Sequence, residues 1–119
     1  MWALSNKSFV MAVMVVEACK QLQAQNEFVL SKQLLRSGTS VGAMVRESEF
    51  AQSKADFINK LYIALKEANE TVYWLDLLKS TDYLTDETYD AIFRLAKENI
   101  KLLVTSIQTT KKHITKNDN

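Results

Sequence analysis

The sequence predicts an all-α fold, an antiparallel up-down-up-down four-helix bundle. Two observations carry that reading. The chain has no proline and only two glycines in 119 residues, so it lacks the turn residues a sheet requires. Its apolar residues also recur at three- and four-residue spacing in four long segments joined by short polar ones, the pattern of antiparallel helical neighbours. A chain of this length is expected to fold as one domain, residues 1–119, and can bury a core without staples.

The first helix is expected from about Lys7 to Gln25, capped by Ser5 or Asn6 and stopped near Asn26. Phe9, Val10, Met11, Val13, Met14, Val15, Val16, Cys19 and Leu22 cover most of its circumference. A helix that is apolar nearly all round is buried on more than one side. The second helix is expected to open at Ser31 as N-cap, with Leu30 and Leu35 as a hydrophobic staple, and to present Leu34, Val41 and Val45 on one face.

The third helix is expected from about Lys54 to Lys79, opened by the Ser53/Asp56 capping arrangement. Phe57, Leu61, Ala64, Leu65, Ala68, Val72 and Leu75 form its stripe, and Tyr73, Trp74 and Leu77 widen it. Asp56–Lys60 and Lys66–Glu70 are spaced to pair along its outer side. The fourth opens at Thr85, with Asp86 and Glu87 in its first turn, where the helix dipole favours acids. Its stripe runs through Ile92, Phe93, Ala96, Ile100, Leu103 and Ile107; the polar tail from about Thr109 is expected to fray.

Composition narrows the function classes. Fifteen basic and fourteen acidic side chains give a net charge of +1, unlike a strongly basic nucleic-acid binder. A single cysteine, Cys19, forms no internal disulfide and suits a reducing cytoplasm. The apolar run Phe9 to Val16 is too short to span a bilayer, and Glu17 directly after it argues against a signal peptide. No membrane partner is expected. His113 is the only histidine, so neither a di-iron pair of Glu-x-x-His motifs nor a histidine-based triad can be built. No cofactor, metal or catalytic residue is expected.

The two glycines stand in RSGTSVGAM, Arg36 to Met44. A phosphate loop needs G-x-x-x-x-G-K-[ST] after a strand. Here the spacing is G-x-x-x-G, Ala43 follows Gly42, and no strand precedes. Gly38 and Gly42 fall one turn apart on one helix face, where small residues let another backbone approach. The stretch is therefore expected to be helical and closely packed. Lysines at Lys32, Lys54, Lys60, Lys66 and Lys79 and in the tail (Lys111, Lys112, Lys116) are scattered. Of these, Lys32, Lys54, Lys60, Lys111 and Lys112 are the candidates for nucleic-acid contact.

The segments FVLSKQLLRSGTSVGAMVRES and AQSKADFINKLYIALKEANETVYWLDLL resemble the four-helix-bundle proteins encoded in intervening sequences of bacterial 23S ribosomal RNA genes. The resemblance runs from about Asn6 to Ile107 and is strongest over Arg36–Ser40 and Lys66–Leu75. It implies a left-handed antiparallel bundle that assembles as a homopentamer. It also implies a link to nucleic acid, since related bundles serve as accessory subunits of retroelement reverse transcriptases. The family tends to carry Asn where this chain has Met44, while Glu47 is kept.

The residues expected to matter for packing or for an interface are Arg36, Gly38, Ser40, Gly42, Glu47, Glu67, Glu70 and Trp74. With the turn between the second and third helices centred near Gln52, Arg36 lies level with Asn69 and within a turn of Glu67 and Glu70. Two functions stay open at this point. One is a non-catalytic oligomeric scaffold acting on RNA or on a nucleic-acid enzyme. The other is a scaffold for a protein partner with no nucleic acid.

Overall fold

The computed structural model describes residues 2–118, with side chains described as far as Ile114. Four helices, α1 (Trp2–Ala24), α2 (Val29–Ser48), α3 (Lys54–Ser80) and α4 (Asp86–Asp118), run antiparallel in sequence order around one core. Each packs on its chain neighbours, and α4 closes the ring on α1. The molecule measures 56 × 21 × 20 Å, a rod whose length is set by α4.

The core is aliphatic. Met11, Val15 and Leu22 of α1, Leu34, Val41 and Val45 of α2, Leu61, Leu75 and Leu78 of α3, and Ile92 and Leu103 of α4 are at most 1% exposed. Each such side chain contributes about 1.5–3 kcal/mol by leaving water. Between these leucines and valines lie Ala18, Ala64, Ala68 and Ala96, which keep the facing helices close.

The helix ends depart from expectation in three places. First, α1 begins at Trp2, not Lys7. Ser5 is inside the helix, where its carbonyl accepts from the Ser8 hydroxyl. Second, Ser31 is not the N-cap of α2, which starts at Val29 after Phe28. The Glu27 carboxylate does the capping instead, accepting from Ser31 N–H at 2.8 Å. The Ser31 hydroxyl turns back to donate to the Glu27 carbonyl at 2.7 Å. A charged acceptor on a helix N–H is stronger than a neutral hydroxyl, and Glu27 is itself 8% exposed. Third, the polar tail continues α4 as helix to Asp118. Its upper part leans on the first turns of α3, where Lys111 donates to the Tyr62 hydroxyl and lies over its ring. The side chain of Lys116 falls outside the described set.

The other ends agree with the sequence. Asn26, at φ 66°, takes the left-handed conformation that stops α1. Ser53 caps α3 by accepting from Asp56 N–H at 3.0 Å, while the Asp56 carboxylate accepts from Gln52 N–H. Thr85 accepts from Thr88 N–H and opens α4. The pairing of Asp56 with Lys60 and of Lys66 with Glu70 does not form. Lys60 reaches Glu47 at 4.0 Å, and Glu70 is taken by Arg36.

Candidate functional site

The stretch Arg36 to Met44 is helix throughout, and both glycines face α1. A Cβ on Gly38 would stand 2.8 Å from both γ-methyls of Val15. A Cβ on Gly42 would stand 3.4 Å from the Ser8 carbonyl oxygen. Glycine in a helix interior costs about 1 kcal/mol against alanine. At Gly38 that cost is offset by the valine it admits, which is fully buried.

On the other side of the same helix, α2 is joined to α3 by polar groups. Arg36 Nη1 donates to Glu67 at 2.9 Å and Nη2 donates to Glu70. The two carboxylates hold the guanidinium above its ordinary pKa, with the Glu70 hydrogen bond the largest cause. The cluster is half exposed, with Arg36 at 46% and Glu67 at 23% of their side-chain surface, so it is more solvated than a core pair. Directly beneath, the Thr71 hydroxyl donates to Ser37 Oγ at 3.1 Å with both residues fully buried. Ser40 turns its hydroxyl to the Arg36 carbonyl at 2.6 Å.

Among the described residues, two buried side-chain groups lack hydrogen-bond partners. Asn99, fully buried on α4, donates to the Leu95 carbonyl at 2.9 Å, but its Oδ1 meets no donor. Trp74 stacks edge-on against Tyr73 at 5.0 Å between ring centroids, and its indole N–H is buried without an acceptor.

The outer face of α1 is apolar and uncovered. Trp2, Phe9 and Val13 recur at helical spacing and are 82%, 58% and 46% exposed. Beside them, Gly42 leaves a groove of about 420 Å³ between α1 and α2. Its floor is Ser8, Ala12 and Gly42, and Thr39, Arg46 and Glu47 stand at its rim. Sequence reasoning named Gly42, Glu47 and the apolar Phe9 but not Thr39 or Arg46, and only the packing of α1 on α2 brings the five together. The whole of α1 is also long and apolar enough to cross a membrane by length and composition, although the Phe9–Val16 run alone is not. Its inner face is instead packed into the bundle through Leu4, Met11, Val15 and Leu22.

The chemistry available to these surfaces is limited. Among the described residues, no three His, Cys, Asp or Glu side chains gather to hold a metal. Burial pushes the Cys19 thiol up to about 11, and it donates weakly to the Ser31 carbonyl. The lysines considered for nucleic acid are spread over three helices. Lys32 is on α2; Lys54 and Lys60 open α3; Lys111 and Lys112 are on α4, with Lys60 and Lys111 engaged as described.

The chain is thus a single antiparallel four-helix bundle with an apolar face of α1 open to solvent. The family model for the 23S rRNA-intervening sequence protein matches residues 3–105, and the chain belongs to that family. Among solved structures it is similar to a protein of unknown function from the S23 ribosomal protein family of Bacteroides thetaiotaomicron. The two share 57% identity over 87% of this chain and 97% of the other, with a TM-score of 0.85. No curated protein matches this chain.

Proposed function

We propose that this chain is a non-catalytic, self-associating four-helix bundle that works in the cytoplasm as an RNA-associated scaffold. The observation that carries self-association is the outer face of α1. Trp2, Phe9 and Val13 stand open to solvent along one line, and a contiguous apolar face of this kind marks a contact surface. The groove beside Gly42 continues that face onto α2 and gives a neighbouring copy a place to seat a side chain. The resemblance to the intervening-sequence proteins supplies the number five.

The absence of a reaction is supported by the side chains themselves. The only histidine, His113, is exposed far along α4, and the only thiol is buried and protonated at neutral pH. RNA association is supported by the family and by the cationic side chains of α4.

The test is a pair of measurements. Light scattering gives the mass in solution, for which a pentamer is expected. Titration with a structured RNA at two salt concentrations gives binding that weakens steeply with salt, as phosphate contacts do. An oligomer that ignores RNA would establish the protein-only scaffold instead. A monomer that inserts into vesicles would make α1 a membrane segment.

A further inference from the structure

The outward face of α4 carries a line of cations that the scattered lysines of the sequence conceal. Arg94, Lys97, Lys101, Thr105, Gln108 and Lys112 follow one another at steps of three and four residues and are all exposed. Such steps place them on one side of the helix, over about 27 Å of axis from Arg94 to Lys112 at about 1.5 Å per residue. None of the four cations has a carboxylate within ion-pair distance among the described residues. Lys97 lies over the Phe93 ring at 5.4 Å, which leaves its charge on the surface. Of the acids one turn from Arg94, Glu98 is taken by Lys7 of α1, and Asp90 stands exposed before the line begins. The two positions between Lys101 and Lys112 are neutral hydrogen-bonding side chains, and the line itself contains no apolar residue.

We infer that this line is the surface that holds RNA in duplex form, along its phosphates; the inference rests on the RNA association proposed above and assigns it a place. A straight row of fixed cations matches a rigid row of phosphates. A membrane surface would call for apolar side chains among the charges, and these are on α1, not on this face. Only the crest of α4 is available, because α1 and α3 pack against its flanks. The helix therefore cannot enter the major groove of B-DNA to read bases. An A-form RNA duplex instead presents phosphates and 2′-hydroxyls across a wide, shallow minor groove, within reach of a convex crest with Thr105 and Gln108 between its cations. Binding is then independent of sequence.

The test compares the full-length protein with a variant carrying Arg94→Gln, Lys97→Gln, Lys101→Gln and Lys112→Gln. A control variant carries Lys20→Glu and Lys66→Glu, which removes as much charge from other exposed positions. The mass and helicity of both are measured first, since every changed side chain is exposed. Each is titrated with a 20-base-pair RNA duplex, the matching DNA duplex and anionic phosphatidylserine vesicles. Wild-type protein is expected to bind the RNA duplex about a hundredfold more weakly at 200 mM than at 50 mM salt, the slope of about four phosphate contacts. The α4 variant is expected to lose most of that slope and the control to keep it, with the RNA duplex bound more tightly than DNA. RNA binding that the α4 variant retains as well as the control does would overturn the assignment while leaving RNA association standing. So would equal or tighter binding of the DNA duplex, or binding to vesicles alone. No binding of wild-type protein to any RNA would overturn both.

Discussion

Arg36 of α2 bridges two carboxylates of α3, with Nη1 2.9 Å from Glu67 and Nη2 on Glu70. One guanidinium thereby fixes the register of two helices over a full turn. Because Arg36 and Glu70 are 46% and 40% exposed, the cluster contributes modestly, at the scale of partly exposed pairs, about 0.5–1 kcal/mol for each contact. Double-mutant cycles on Arg36→Ala with Glu67→Ala, and with Glu70→Ala, are expected to give coupling in that range. Both couplings should shrink as salt rises. Coupling near zero in both cycles would mean that Arg36 stands free in solution.

The two glycines are expected to behave oppositely when changed to alanine. Gly38→Ala drives a Cβ into the γ-methyls of Val15 at 2.8 Å, and the stiff valine has little freedom to yield. Overpacking of this kind costs about 1–3 kcal/mol. At Gly42 the added Cβ lies at ordinary contact distance, 3.4 Å from the Ser8 carbonyl, so the better helix propensity of alanine prevails by up to about 1 kcal/mol. Urea unfolding of the two variants checks both signs.

Asn99 is a buried amide with one satisfied side. Its Oδ1 has no donor, and an unsatisfied buried acceptor costs about 1–3 kcal/mol. Asn99→Leu, close in shape, is therefore expected to raise the thermal midpoint. A fall would mean that the bond from Nδ2 to the Leu95 carbonyl matters more than the orphaned oxygen.

Cys19 is expected to resist alkylation in the native protein at pH 8, because burial pushes its thiol up to about 11 and the thiolate is the nucleophile. The same displacement has a pH consequence. A thiol whose folded pKa exceeds its unfolded value favours the fold below the unfolded pKa and loses that contribution as pH rises through the folded one. Tyr89, raised to about 12 chiefly by its hydrogen bond to Asp76, acts in the same direction. Stability is expected to hold to about pH 9 and to decline from there toward pH 12. A chemical-denaturation series across that range, flat throughout, would contradict it.

Much of the fold was legible because helical periodicity is a local property. The stripe Leu34, Val41, Val45 on α2 and the stripe Leu61, Ala64, Ala68, Leu75 on α3 are buried as their spacing requires. The Arg36 cluster was also legible, since antiparallel helices joined by a short turn leave little choice of register. Other features depend on contacts that no local pattern encodes. Capping of α2 by Glu27 takes the place of Ser31 because a carboxylate can fold back from the preceding loop. The α4 tail, polar by composition, stays helical beside Tyr62. The line from Arg94 to Lys112 is hidden in sequence because acids precede it on the same helix and balance the net charge.

The measurement that bears most directly on the proposed self-association is the solution mass of the wild-type protein beside that of a Phe9→Gln, Val13→Gln variant. Both side chains are exposed in the single chain, so the variant should still fold. Light scattering at micromolar concentration is expected to give wild-type protein at five times the 13.6 kDa chain, and the variant shifted toward one. Wild-type protein at a single chain mass, or an oligomer untouched by the substitutions, would contradict it.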